Sequence, residues 1–222
     1  MNYLSQYVGQ LIAIELAANK LITGKLVEYG TNILVVFNGQ YFFYIPVEHI
    51  ICISKPDFTE DEIINIVPSP IKEDIDKMSL NKILDNAKGK FVEMYVTGNQ
   101  SIYGFITQIQ KDYFAFYSPV LKTILISTAH LKWIIPHLDK TPYSVDEKPL
   151  QLPSNFTLAD TFEKQLKRLP GEVVFLDLGK KPTNVGLIKK IENDFVEIIT
   201  VDGQTRYLNF AHIKTLHGID LN

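Results

Sequence analysis

The sequence predicts a mainly β protein: three tandem copies of one small, five-stranded, antiparallel bent-sheet barrel, each preceded by a short α-helix. Three recurrences predict it. Gly9 and Gly24, Gly89 and Gly104, and Gly171 and Gly186 are each fifteen positions apart. A turn-type residue follows at the same offset in every copy (Asn32, Asp112, Asp194), and a histidine follows to within one position (His49, His130, His212). Self-similarity at a fixed period overrides the length prior, which would divide 222 residues into one large or two ordinary domains. The expected boundaries are 1–55 for the first repeat, 56–78 for a connector, 79–136 for the second repeat, 137–156 for a Pro-rich connector and 157–222 for the third repeat.

In the first copy Tyr3, Leu4, Tyr7 and Val8 predict a short helix. Five β-branched and aromatic runs follow, Leu11 to Leu16, Leu21 to Tyr29, Asn32 to Phe37, Gln40 to Ile45 and Ile50 to Ser54. Gly24 lies inside the second run, where a missing side chain marks a bulge or sharp bend. Asn38-Gly39 between the third and fourth runs suits a type I′ hairpin turn. In the first connector Thr59 and Glu62 can cap a helical turn carrying Ile63, Ile64 and Val67 before Pro68-Ser69-Pro70 ends it. Those apolar residues need cover, so this connector is expected to pack on a neighbouring barrel.

The second copy opens with Ser79 as a cap, then Leu80, Ile83, Leu84 and Ala87 at helical spacing and Gly89 as a stop. Ser118-Pro119 takes the place of the hairpin dipeptide. The second connector, with Pro142, Pro149 and Pro153 among charged residues, reads as an extended linker. In the third copy Thr157 and Asp160 resemble a capping box. Leu158, Phe162, Leu166 and Leu169 form one stripe, Pro170-Gly171 ends it, and Asp202-Gly203 supplies the hairpin turn.

Composition narrows the function. The chain is 46% hydrophobic and 11% aromatic, enough to build cores. Its net charge of −3 supplies no overall field towards nucleic acid or an anionic membrane. A single cysteine, Cys52, excludes an intramolecular disulfide and paired-Cys zinc sites. Set between Ile51 and Ile53, it is expected to be buried and inert. MNYLSQYVGQ has neither the basic nor the apolar segment of a secretory signal, and no apolar run is long enough to span a bilayer, so a cytoplasmic location without membrane insertion is expected.

The leading helix, five bent strands and the fifteen-residue glycine spacing resemble the Sm-like fold of bacterial Hfq and eukaryotic Sm proteins. More specifically, Gly24 to Tyr29 with Tyr44 to Ile50, Gly104 to Tyr113 with Ser127 to Leu131, and Gly186 through Asn193-Asp194-Phe195 to Ile213 are similar to an Sm-like domain of Bacillus-type spore formers, found in spore coat protein B and its relatives. The resemblance implies a coat-associated protein made in the mother-cell cytoplasm and laid on the forespore, with coat proteins or itself as partner. The Ser- and Lys-rich tail of the coat protein is absent, so nothing assigned to that tail carries over.

An Sm-like fold also implies RNA binding, but the residues do not follow it. The family's RNA-facing Asn after the acidic turn is replaced by Ile33-Leu34-Val35, Tyr113-Phe114-Ala115 and Phe195-Val196-Glu197, and its basic clamp by Glu48-His49, Ala129-His130 and Ala211-His212. A nucleic-acid binder would have to gather Lys180, Lys181, Lys189, Lys190 and Arg206 into one groove. The three histidines could converge on a metal or sense pH, but each fits better as a local hydrogen-bonding group of its turn. No His-Glu-x-x-His, Gly-x-Ser-x-Gly or phosphate-cradling loop is present, and the carboxylates Glu60-Asp61-Glu62, Glu73-Asp74 and Asp76 lack calcium-loop spacing. No catalytic residue, metal or cofactor is expected. Tyr41 to Tyr44 and Tyr113 to Tyr117 put aromatic side chains on both faces of their strands, so one face awaits cover by a repeat, a connector or another chain. The expected function is a non-catalytic assembly module acting through protein–protein contacts, with RNA or single-stranded nucleic-acid binding as the alternative.

Overall fold

The structure, a computed structural model, describes residues 2–56, 68–71, 78–96, 101–137, 157–179 and 181–218. It is mainly β and antiparallel, and one element order occurs three times: a helix, four strands, a 3-10 turn ending in His49, His130 or His212, and a fifth strand. The residues fall into two compact units, Met1–Tyr95 with Lys132–Ser144 and Val96–Leu131 with Val145–Asn222.

The first unit holds a 3-10 helix (Asn2–Tyr7), β1 (Leu11–Leu16), β2 (Lys20–Tyr29), β3 (Ile33–Phe37), β4 (Phe42–Pro46), β5 (Ile50–Ser54), α1 (Leu80–Ala87), β6 (Phe91–Tyr95) and, from further along the chain, β10 (Trp133–Pro136). Its strands run in the order β6-β10-β4-β3-β2-β1-β5. The second unit holds β7 (Ile102–Ile109), β8 (Tyr113–Ser118), β9 (Lys122–Ser127), α2 (Phe162–Leu166), β11 (Val173–Leu176), β12 (Val185–Glu192), β13 (Phe195–Thr200), β14 (Thr205–Asn209) and β15 (Thr215–Gly218). Its order is β14-β13-β12-β11-β15-β9-β8-β7.

The closed barrel expected for each copy is not formed. The fifth strand does return to the first, as β5 on β1 and β15 on β11. The fourth strand instead pairs with the fifth strand of the following copy, β4 with β10 and β9 with β15. One strand edge cannot hydrogen-bond two partners, so an edge given to the next copy is lost to closure.

The bend comes from the second glycine of each pair. A Cβ at Gly24, Gly104 or Gly186 would lie 2.6, 1.9 or 2.4 Å from the carbonyl oxygen of Phe37, Tyr117 or Ile199 on the paired strand. Two positions on, the register slips between Leu26 and Glu28, Ile106 and Gln108, and Ile188 and Lys190, which is the expected bulge.

The hairpin dipeptides behave differently from expectation. Of Asn38-Gly39 and Asp202-Gly203 only the glycines take positive φ, so neither is a type I′ turn. The Asn38 amide oxygen instead accepts from the Gln40 and Tyr41 backbone, and Asp202 accepts from the Thr200 hydroxyl and the Gln204 amide, which stabilises a wider loop. The paired positive φ angles of type I′ occur at Ala18-Asn19 and at Asn193-Asp194.

Helix α1 starts at its expected cap, with Ser79 Oγ accepting from Lys82 N and Leu80, Ile83, Leu84 and Ala87 buried. Helix α2 starts later than the Thr157 capping box predicts. Its cap is Thr161, whose hydroxyl accepts from Lys164 N. Leu158 and Ala159 precede it and are buried, Leu158 in the core of the second unit with Phe162, Leu166 and Val174. Cys52 is exposed, against expectation, because it faces outward beside Glu15 on β5, which among the described residues pairs on one side only, with β1.

Candidate docking site

The turn residues at matching offsets cap the helix of the following copy. Asn32 Oδ1 accepts from Leu80 N at 2.9 Å, at the start of α1, and Asp112 Oδ1 accepts from Phe162 N at 2.8 Å, at the start of α2. One residue before each, the same backbone bond recurs: Thr31 N donates to Met78 O (2.8 Å) and Lys111 N to Asp160 O (3.2 Å). Each satisfies or fixes a helix terminus that would otherwise leave amide groups unpaired.

These bonds seat a short segment on the outer face of β3 and β4, and of β8 and β9. In the first unit that face carries Ile33, Val35 and Tyr44, all fully buried. Ile71 N donates to Tyr44 Oη at 2.9 Å, Ser69 Oγ donates to Ile71 O at 3.0 Å, and Met78 lies so close that a Cβ on Gly30 would meet its carbonyl oxygen at 2.2 Å. The described ends of the first connector therefore pack on the strands, while Ile63, Ile64 and Val67, on which the expected packing rested, lie outside the described residues. Glu28 at the rim is partly buried, and this desolvation raises its carboxyl pKa against the lowering effect of the Ser69 hydroxyl. Residues 57–67 and 72–77, with Thr59, Ile63 and the connector carboxylates, lie outside the described residues.

In the second unit the same face carries Tyr113, Ala115 and Leu125, fully buried in one core with Leu158 and Phe162. Tyr113 Oη donates to Ala159 O at 2.6 Å, Gln165 Oε1 accepts from Ala159 N at 2.8 Å, and the Tyr113 and Phe162 rings lie 5.5 Å apart. The double-faced aromatic strands are thus covered by the segment leading into the next copy.

His130 Nε2 lies 2.9 Å from Ala211 O. The expectation that each histidine serves only its own copy fails there, because the imidazole of the second copy reaches the turn of the third. His212 is exposed in its turn, and His49 Nε2 is 3.7 Å from Glu48 Oε1. Among the described residues no three His, Cys, Asp or Glu side chains are grouped as metal ligands.

In the third copy no segment among the described residues covers the corresponding face. The residue after Asp194, Phe195, is 43% exposed where Ile33 and Tyr113 are fully buried. Tyr207, three residues before the 3-10 turn as Tyr44 and Leu125 are, is 63% exposed. Lys190, Glu192, Asn193, Phe195, Glu197 and Tyr207 line a groove of about 370 Å³ there. The feature that sequence reasoning missed is this seat. Its signal was the pairing of a capping residue with an apolar neighbour at Asn32-Ile33, Asp112-Tyr113 and Asp194-Phe195.

The candidate nucleic-acid residues do not make an unopposed basic surface. Lys190 Nζ bonds Glu192 at 2.9 Å; that carboxylate raises the lysine pKa, and the lysine lowers that of Glu192. Glu197 stands opposite Lys190 in the ladder. Arg206 donates to Gln204 at 3.1 Å, Lys181 precedes a 3-10 turn (Pro182–Asn184), Lys189 is exposed in the β12 bulge, and Lys180 lies outside the described residues.

The filled seats make a pH prediction. Burial pushes the Tyr44 phenol up to about 12 from its ordinary 10, and burial also raises that of Tyr113. A group whose folded pKa exceeds its unfolded value stabilises fully below the unfolded value and loses that contribution as pH rises through the folded one. Unfolding is therefore expected to set in above pH 10, with two tyrosines ionising only as ellipticity is lost. Parallel titrations by tyrosinate absorbance and circular dichroism check this; all tyrosines ionising in the folded protein would contradict the burial.

No helix among the described residues is long and apolar enough to cross a membrane. Residues 161–216, from the cap of α2 into β15, match the family described as YwrJ third domain. Over 223 aligned residues, 98% of this chain and 99% of the relative, the chain is 35% identical to the uncharacterized protein YwrJ of Bacillus subtilis (strain 168).

Proposed function

The chain belongs to the YwrJ family, and we propose that it is a non-catalytic assembly module that works by strand addition between Sm-like five-stranded copies. One observation carries the reading. Copy is joined to copy twice by the same device, a fourth strand paired with the next fifth strand and a turn residue capping the next helix, while among the described residues β14 is paired only with β13 and no segment covers the seat beside it. A sheet edge and an apolar face left free are the usual means of main-chain recognition between proteins. Coat proteins of a spore former are partners in keeping with the resemblance and with a Bacillus relative, and such a role would have the protein made in the mother-cell cytoplasm before deposition.

Nucleic-acid binding is the competing reading, and the carboxylates of Glu192 and Glu197 beside Lys190 speak against it. The test is titration of the purified protein with a single-stranded RNA oligomer at several salt concentrations. Binding indistinguishable from background at ~0.1 M salt is expected. Affinity falling steeply with salt, as release of several counterions requires, would overturn the assembly reading.

A further inference from the structure

We infer that the open seat of the third copy receives the first copy of a second chain of this protein. This rests on the assembly reading above and names its partner.

The two internal junctions fix what a third would look like. In each, the residue three positions before the 3-10 turn opposes the residue four positions after the next copy's turn histidine: Tyr44 opposes Ile134, and Leu125 opposes Leu216. The third copy offers Tyr207 at the first of these positions, and β5 of the first copy offers Ile53 at the second. The same register sets Leu208 opposite Cys52, since Ile126 opposes Thr215.

Both surfaces are exposed where their counterparts are covered. Six residues before the first glycine of each copy stand Tyr3, Ile83 and Gln165; Ile83 and Gln165 are buried, Tyr3 is 63% exposed. On β5, Ile51 is 63% exposed and Cys52 is exposed. The third copy presents Phe195 and Tyr207, the exposed members of two positions that are buried in the other two copies. One end of the chain thus carries the half of a junction that the other end lacks, and the chemistry each half requires is this chain's own. The contact is heterologous, so β14 and the seat of one chain meet β5 and the Asn2–Tyr7 helix of the next.

The test is solution mass by light scattering over a range of concentrations, with absorbance at 260 and 280 nm on the same peak, for the wild type and for Tyr207→Asp. A multiple of the 25.3 kDa chain mass, free of nucleic acid and falling to 25.3 kDa in the variant, is expected. Tyr207 is exposed, so the variant should keep its far-ultraviolet ellipticity. In a second variant, Leu208→Cys, mild oxidation should form a reducible bond to Cys52 between chains, absent when Cys52→Ser is added. A single-chain mass at every concentration, a multimer that Tyr207→Asp leaves intact, or a disulfide closing within one chain would each overturn the second-copy partner. A nucleic-acid-free monomer leaves the assembly reading standing with a different protein, whereas a multimer carrying excess 260 nm absorbance overturns both.

Discussion

Gly104→Ala is expected to destabilise the protein by more than ~4 kcal/mol, beyond the range of most single substitutions. The new Cβ would lie 1.9 Å from Tyr117 O and 3.0 Å from a ring carbon of Phe116, and the first of these atoms belongs to the backbone of the strand paired with Gly104. A flexible side chain could swing away; a carbonyl held in a ladder cannot without parting β7 from β8. Phe116 is fully buried, so parting the strands also disturbs core packing. Gly89→Ala is the internal control. Its φ of +74° strains any L-residue, yet nothing lies within 4 Å of the added carbon, so about 1–2 kcal/mol is expected. Urea unfolding of both variants gives the comparison. Equal losses would mean that the second glycine is needed for its backbone conformation and not for the approach of the neighbouring strand.

That glycine is also where the sequence was most legible. A side chain missing from the middle of a β-branched run has few explanations, and the spacing from Gly9 to Gly24 placed it on a long bent strand that the structure assigns to Lys20–Tyr29. Strands followed in the same way, because runs rich in aliphatic and β-branched residues mark strands within a local window: the runs Leu11 to Leu16 and Ile50 to Ser54 coincide with β1 and β5. Two other expectations failed for one common reason. Cys52 lies between isoleucines and looks buried, and a closed barrel looks like the way to satisfy five strands, yet both depend on which strand edge meets which. Edge pairing is a long-range choice, and nothing in a local window records that β4 leaves β5 for β10. The turn residues show the same limit. Asn32 and Asp112 read as ordinary turn formers, and only the fold reveals that their side chains reach 48 and 50 residues ahead to cap a helix.

Tyr113→Ala is expected to cost about 3–5 kcal/mol, the range for emptying an aromatic site in a core. Its ring is fully buried against Phe162, and its hydroxyl donates to Ala159 O and lies 3.3 Å from Gln165 Oε1. Tyr113→Phe separates the two contributions. It keeps the ring and leaves the Ala159 carbonyl short of one donor, so a loss of about 1–3 kcal/mol is expected. Phe195→Ala removes the aromatic at the matching position of the third copy. With no segment among the described residues seated there, and with the ring 43% exposed, it should cost under ~0.5 kcal/mol in a dilute, single-chain sample. Denaturant midpoints of the three variants decide the matter. A loss at Phe195 equal to that at Tyr113 would show that the third seat is filled within one chain and is not free to receive another. A small loss in dilute solution that grows with protein concentration would show the reverse: the position becomes a core residue only when another chain arrives, since a ligand that binds the folded form alone adds its binding free energy to stability.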